Sequence, residues 1–461
     1  MGILAGFMVP HPPLAIPEIG RGQEKKIQKT IKAYHQIGQR IKELQPETIV
    51  LLSPHQVMYA DYFHISPGAG ARGDFRQFGA RQVAVEAEYE KEFVEKLCNL
   101  ASKSHFPAGT KGEQVSYLDH GTMVPLYFVN QYWTKYRLVR IGLSGLSFLK
   151  HYELGMMIQQ TAKDSERKTV VIGSGDLSHY LTKDGPYGFR EEGPAYDEMI
   201  MKLMEKGAFR ELLECSEEFC QKAGECGHGS FLILAGAFDR VHVKPQRLSY
   251  EGPFGVGYGV CAYEAGDREE SRNFGEQYEQ RVRQLVAKQR ETEDPYVKLA
   301  RRSIEEYIRT GKEIEIPENL PREMYRQKAG VFVSIKEEDR LRGCMGTIRP
   351  AKSCIAGEIL SNAITAAIRD PRFTPIETAE LDKLIIHVDV LGEAEAIDSL
   401  KELDVKRYGV IVTRGHRRGL LLPNLEGIDT IEDQIAIAKE KAGIRKEEQV
   451  QLERFEVVRH K

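Results

Sequence analysis

The sequence predicts an α/β protein in two domains: a larger N-terminal one with a mostly parallel sheet flanked by helices, and a smaller C-terminal α/β one. Three observations predict it. Short apolar runs alternate with longer amphipathic stretches through residues 1–265. The rhythm changes after a charge-dense stretch. And 461 residues exceed what a single hydrophobic core ordinarily serves.

In the first domain, Ile3–Val9, Thr48–Leu52, Leu138–Leu143 and Thr169–Ile172 are short apolar runs of the kind that form buried strands. Gln23–Gln45 places Ile27, Ile31, Tyr34, Ile41 and Leu44 on one face of a helix. Tyr152–Ala162, Ala195–Lys206 and Ser230–Phe238 predict further helices. Strand, helix and strand in this order imply βαβ units. Residues 266–294 are rich in charge and poor in large apolar side chains, which predicts a partly helical linker. The second domain covers 295–461. Tyr296–Arg309 predicts a helix with Asp294 as N-cap and Pro295 in its first turn. Val331–Ile335, Leu384–Leu391, Gly409–Thr413 and Gly419–Leu422 predict strands, the last two paired antiparallel across Arg414–Arg418. Ser353–Arg369 and Thr430–Lys441 predict helices.

The composition excludes several function classes. The hydrophobic fraction of 41% and charged fraction of 29% rule out a disordered chain. Lys and Arg total 65 against 68 Asp and Glu, so the basic footprint of a nucleic-acid binder is missing. The longest apolar run, Phe231 to Phe238, is far short of the roughly 20 residues that span a bilayer. The N-terminus lacks a basic segment before its apolar stretch, which argues against a secretory signal. Seven Cys at irregular spacing predict reduced thiols and a cytoplasmic protein.

Three predicted strands finish the same way: LAGFMVPH at His11, TIVLLSPH at His55 and TVVIGSGDLSH at His179. Ligands of open parallel sheets bind outside the carboxyl ends of the strands. Three imidazoles there converge on one place, and imidazole is the commonest metal ligand. Two His with one carboxylate is the non-heme Fe(II) arrangement. Glu251, after a short strand-like segment, is the first candidate for the carboxylate. Asp176 is the second, as ligand or as the acceptor that orients a ligand. His120 precedes Gly121 and the apolar run to Leu126; it reads as a tight turn aiming a polar side chain into a cavity, or as a capping residue. His228 opens an apolar helix, where it lines a pocket or serves the structure.

Other patterns carry less. Cys215, Cys220, Cys226 and His228 do not follow a common zinc spacing. Gly255–Gly259 is followed by strand and not helix, so it is not a phosphate loop. His35, His64, His105, His151, His242 and His460 lie on charged or loop segments and are expected to be solvated. In the second domain Arg342, Arg349 and Arg372 are candidates for holding an anionic partner. Cys344 is either a nucleophile or, as free Cys usually is, part of the core.

Over about 1–265 the chain resembles the class III extradiol ring-cleavage dioxygenases, the superfamily of protocatechuate 4,5-dioxygenase and DOPA dioxygenase, and the related Memo proteins. The residues that carry this are Pro10-His11-Pro12-Pro13, Ser53-Pro54-His55, Leu118-Asp119-His120-Gly121 with Val124-Pro125-Leu126, Gly175-Asp176-Leu177-Ser178-His179, and Tyr250-Glu251-Gly252. The resemblance implies Fe(2+), or another divalent metal, held by His11, His55 and Glu251. It implies His179 as the catalytic acid and base and His120 as a substrate-facing helper. An aromatic substrate with two adjacent oxygens and O2 would be the reactants. Met123 stands where one branch often has Trp, and Memo-like relatives carry an altered ligand set. From about 295 the chain resembles the AMMECR domain family, through Leu341-Arg342-Gly343-Cys344-Met345-Gly346-Thr347, Asp370-Pro371-Arg372-Phe373-Thr374-Pro375 and Gly419-Leu420-Leu421-Leu422-Pro423. The fusion is similar to the AmmeMemoRadiSam system, which implies a radical-SAM partner. The rival readings are a metal-dependent enzyme that is not an oxygenase and a metal-binding adaptor. Oligomeric state is left open.

Overall fold

The computed structural model describes residues 2–338, 340–425 and 427–461. The chain divides into two compact units, Met1–Glu279 and Gln280–Lys461. In the first, β1 (Ile3–Val9), β2 (Thr48–Ser53), β5 (Arg137–Gly142) and β6 (Thr169–Ser174) run parallel, and β7 (Val241–Glu251) and β8 (Tyr258–Arg268) join antiparallel. The sheet order is β5-β2-β6-β1-β8-β7. A separate hairpin, β3 (Gly70–Phe75) with β4 (Ala80–Glu88), was not foreseen in the sequence.

The strands are apolar on both sides because both faces are covered. Phe7, Val9, Ile49, Leu51, Val170 and Ile172 enter one core, with Ile37 and Ile41 of helix α1 (Gln28–Leu44). Met8, Val50, Leu52 and Val171 enter the other, with Leu154 and Ile158 of α4 (Phe148–Asp164) and Phe231 to Leu234 of α6 (His228–Gly236). Between these helices lie α2 (Lys91–Lys103), α3 (His120–Val129) and α5 (Glu192–Lys206). This alternation is the period-2 geometry of a strand, applied to a sheet that lies between two layers of helices. His120 does not lie in a tight turn. It is the first residue of α3, and Asp119 caps that helix by accepting the Thr122 N–H.

The segment 266–294, expected to be a charged and partly helical linker, holds the end of a strand and one helix. β8 reaches Arg268, and α7 spans Phe274–Thr292. Its Phe274 and Tyr278 pack on the first unit's core, which is why that unit extends to Glu279.

In the second unit α8 (Pro295–Thr310) and α9 (Ile355–Ile368) cover one face of an antiparallel sheet. Its strands are β9 (Val331–Glu337), β10 (Arg340–Gly346), β11 (Leu384–Leu391), β12 (Glu395–Ile397), β13 (Tyr408–Arg414), β14 (Arg417–Leu421) and β15 (Gln451–His460). The order is β10-β9-β11-β15-β13-β14, with β12 beside β15. Helix α10 (Ile431–Lys441) packs on β13 and β14 through Ala438, Val410, Val412 and Leu421. No helix among the described residues is long and apolar enough to cross a membrane.

Of the histidines expected in solvent, His64 and His151 are buried, at 1% and 3% exposure. His460 is not solvated either: its ring stacks on Tyr296 at 3.8 Å and its Nδ1 bonds to Asp294. Asp294 therefore does two jobs, capping α8 at Tyr296 and Val297 and holding the last strand. Asp294→Ala is expected to destabilise the second unit by about 1–2 kcal/mol, the usual worth of a cap. Thermal unfolding followed by tryptic cleavage within 295–461 measures it, and an unchanged midpoint there contradicts it.

Candidate functional site

The site follows from strand order. β2, β6 and β1 are parallel neighbours, so their carboxyl ends lie side by side. His55 follows β2, Asp176 and His179 follow β6, and His11 follows β1. The Nε2 atoms of His11 and His55 are 3.0 Å apart. The His120 ring lies 4.0 Å from that of His55 and 5.3 Å from that of His11, centre to centre. The third candidate ligand atom comes from elsewhere: Cys226 Sγ is 3.7 Å from His11 Nε2. His11, His55 and Cys226 each offer one donor atom, all within 4.8 Å of one another.

Cys226 reaches this place through Asp176. The Asp176 N–H points at Cys226 Sγ at 3.3 Å, and the Cys226 N–H donates to the Asp176 carbonyl at 3.3 Å. The two loops touch where Gly175 meets Gly227; a Cβ on Gly175 would lie 2.1 Å from the Gly227 Cα. Asp176 Oδ1 also accepts the His11 N–H at 2.8 Å, so its carboxylate orients the ligand loops from beside the donor group.

A hydrogen-bond relay fixes the tautomer of His11. Pro125 lies inside α3 and has no N–H for the carbonyl four residues before it. That carbonyl belongs to Gly121, and it accepts the Ser174 hydroxyl at 2.6 Å. With its proton committed there, Ser174 Oγ can only accept from His11 Nδ1, 3.0 Å away. The proton of His11 is therefore on Nδ1, and Nε2 presents its lone pair toward His55 and Cys226.

Electrostatics favour neutral imidazoles. Burial, then the proximity of His55, lowers His11 to about 3. Burial, then His55 and His11, lowers His120 to about 3. His55 and His179 are lowered as well, in each case first by burial. Burial lifts Asp176 to about 6 against the His11 N–H. Burial would also raise Asp119, but Arg140 and the hydroxyls of Ser53 and Thr122 outweigh it and hold the carboxylate ionised. The Arg140 pair is buried, with Nη2 to Oδ2 at 2.8 Å.

The donor atoms of His11, His55 and Cys226 form a group that could hold one metal ion, and the two separations that involve His11 can be set against the geometry of such a site. Ligand bonds of about 2.1 Å to N and 2.3 Å to S, at a tetrahedral angle, separate two nitrogens by roughly 3.4 Å and nitrogen from sulfur by roughly 3.6 Å. The observed 3.0 and 3.7 Å lie close to these values. Burial, then Asp176 and Glu225, pushes the Cys226 thiol well up, and a coordinated cation is what deprotonates such a thiol.

Some sequence expectations are corrected. Glu251 is not in the group. It ends β7 beside Tyr250, and strand alternation sends the two side chains to opposite faces. Tyr250 bonds to Asp197, whereas Glu251 Oε2 accepts the N–H and O–H of Thr30, at 2.8 and 2.9 Å, in the first turn of α1. Cys226, set aside for its spacing to Cys215 and Cys220, is the residue beside the two His. His228 is structural: fully buried, it donates Nε2–H to the Leu212 carbonyl at 3.2 Å and accepts from Tyr196 at 3.1 Å. Arg342 is committed inside the second unit, to Glu380 and the carbonyls of Thr374 and Pro375. Arg372 pairs with Asp370. Sequence reasoning also missed the site's aromatic wall. Tyr187, 59% exposed, stacks on His179 at 5.2 Å, and Phe78 lies 5.5 Å from His120.

Residues 5–261 match the family described as the catalytic LigB subunit of aromatic ring-opening dioxygenase, and residues 297–460 match AMMECR1. The chain belongs to the LigB family, with an AMMECR1 domain in the same polypeptide. It is similar to Protein CA_C1420 of Clostridium acetobutylicum, 40% identical over 469 residues with all of both chains covered. A Thermotoga maritima protein is 52% identical over 171 residues, which are 37% of this chain and 98% of that one. The crystal structure of uncharacterized protein PH0010 from Pyrococcus horikoshii is 36% identical, covering 36% of this chain and 88% of that chain with a TM-score of 0.34.

Two predictions follow the geometry. Ser174→Ala removes the acceptor for His11 Nδ1 and is expected to weaken metal binding by about 10–100-fold. Chelator competition reads this, and unchanged affinity refutes the relay. The second concerns Asp197, which accepts the Ser178 N–H and so steadies the loop of Asp176 and His179. Burial lifts Asp197 to about 7, although Ser178 and Tyr250 act against it. The unfolded carboxyl ionises near 4, so between about 4 and 7 the folded chain binds the extra proton. Its contribution is complete below that window and is lost as pH rises through it. Asp197→Asn should therefore gain stability over wild type from pH 5 to pH 8, by about 2 kcal/mol. Urea midpoints of both proteins at both pH values check this; a constant difference contradicts it.

Proposed function

We propose that the N-terminal unit is a metal-dependent redox enzyme. In this reading His11, His55 and Cys226 hold one Fe(II), and the substrate is a small aromatic molecule with adjacent oxygens that reacts with O2. The observation that carries it is the neutral two-imidazole, one-thiol donor set beside two further imidazoles, at the carboxyl edge of the sheet. A bound metal supplies a Lewis-acidic centre that lowers the pKa of an oxygen held against it.

The chain's own residues supply the rest. His179, neutral at pH 7 because burial lowers it, takes the proton from a substrate hydroxyl at its imidazole nitrogen and later returns it. His120 is too strongly lowered to serve as an acid; as a neutral imidazole it orients a substrate oxygen by hydrogen bonding. Tyr187 and Phe78 offer flat apolar surfaces beside these two rings, which suits an aromatic substrate.

One observation favours a second reading. A thiol stands where the two-His, one-carboxylate oxygenase set has an acid, and thiolate suits softer metals such as Cu(I) or Zn. In this second reading the site serves a metal-dependent reaction without O2, in concert with a radical-SAM partner. Metal analysis after anaerobic purification, followed by oxygen-electrode assays with a catechol panel, separates the two. The first reading expects about one iron per chain, lost in His55→Ala and Cys226→Ala, and O2 uptake by the iron-loaded wild type. Iron-loaded protein that consumes no O2 with any catechol overturns it. Turnover under strict anaerobiosis supports the second.

A further inference from the structure

His11 and His55 lean on one piece of structure, the first turn of α3. β2 and β6 are parallel neighbours, and each ends on a serine, Ser53 and Ser174. Strand alternation puts Ser53 on the face of Leu51 and Ser174 on the face of Ile172, and both faces meet the core that holds Met123, Val124 and Leu126 of α3. Each hydroxyl donates to the start of α3 and accepts from a histidine. Ser174 Oγ donates to the Gly121 carbonyl and accepts from His11 Nδ1. Ser53 Oγ donates to Asp119 Oδ1 at 2.5 Å and accepts the His55 N–H at 3.2 Å.

Asp119 fixes this turn. Its carboxylate receives Ser53 Oγ and the Thr122 N–H on Oδ1, at 2.5 and 3.0 Å. Thr122 Oγ1 and Arg140 Nη2 reach Oδ2, both at 2.8 Å. A carboxylate offers about four acceptor positions, so this one is filled and its orientation is set. Arg140 is the unexpected member. It interrupts the apolar run of Leu138, Val139 and Ile141 in β5, and it is 2% exposed. It stands beside Leu51 in register, on the side of the sheet that α3 covers. A buried guanidinium is costly unless it is paired, and among the described residues its one ion pair is with Asp119. It makes no hydrogen bond to His11, His55 or His120 among these residues.

We propose that Arg140 and Asp119 are positioning residues for the two imidazoles, an inference that rests on the reading of His11 and His55 as metal ligands. Arg140 holds the Asp119 carboxylate, Asp119 caps α3 and orients Ser53, and Ser53 takes the His55 N–H. Gly121 in the same turn holds Ser174, and through it His11. One helix start thus sets both rings, whose Nε2 atoms are 3.0 Å apart. Metal–ligand distances are held to within about 0.2 Å, so a turn that shifts disturbs both ligands at once.

Anaerobic titration of the full-length apoprotein with Co(II) tests this, because the visible absorption of the bound ion reports affinity and ligand geometry together. Asp119→Asn is the decisive variant. Asn caps a helix as well as Asp does, so α3 stays capped, but its amide presents N–H groups where an acceptor is needed. Co(II) affinity is expected to fall by about 10–100-fold, and the spectrum at saturation to shift. Arg140→Met should act in the same direction, and Arg140→Lys, which keeps the charge, should recover part of the affinity. Arg140→Met combined with Asp119→Asn should lose no more than the more affected single variant, because the two act along one path. Asp119→Asn that is folded by circular dichroism and binds Co(II) with wild-type affinity and an unchanged spectrum overturns the proposal. Wild-type protein that takes up no Co(II) overturns the ligand reading of His11 and His55, and the proposal with it.

Discussion

Pro125 has no amide hydrogen, and the arrangement of the first unit's site depends on that. The unclaimed Gly121 carbonyl accepts the Ser174 hydroxyl, which leaves Ser174 only lone pairs to offer His11. The same contact docks the start of α3 against the end of β6. His120 and Asp119 arrive with that helix, one beside His55 and the other on Arg140 and Ser53. A missing donor in one helix thus sets where a second imidazole stands and which nitrogen of a first carries a proton.

Burial then decides what these groups can do. Burial is the first reason that none of the imidazoles at positions 11, 55 and 120 readily takes a proton, and for His11 and His120 the neighbouring rings add to it. They offer lone pairs instead of charge, which is what a cation requires. Asp176 is the counterpart: buried and raised to about 6, it accepts the backbone N–H of His11 and so aims that residue. Ionised Asp119 with Arg140 supplies the fixed charge pair behind them.

The second unit handles cysteine differently. Cys226 is half-buried beside His11, and burial with nearby carboxylates pushes its thiol up, so a cation is the partner that suits its sulfur. Cys344 lies on an outer sheet face, where its sulfur accepts the Ser334 hydroxyl and its N–H donates to Asp370.

Much of the fold was legible locally. The apolar runs of β1, β2, β5 and β6 and the Asp294-Pro295 helix start are short-range signals, and so is the finish of β1 and β2 on His11 and His55. The parallel sheet implied that these two would meet. Other features needed tertiary structure because they rest on contacts between distant segments. Glu251 looked like a ligand until strand alternation turned it to Thr30, and Cys226 looked misplaced until Gly175 and Gly227 brought its loop beneath His11. The sequence by itself determined which residues carry the chemistry of the two imidazoles and which strands deliver them, since hydrophobic periodicity is a local property. The tertiary structure alone decided the third donor and the protonation of each group, since both depend on packing and burial between segments far apart in the chain.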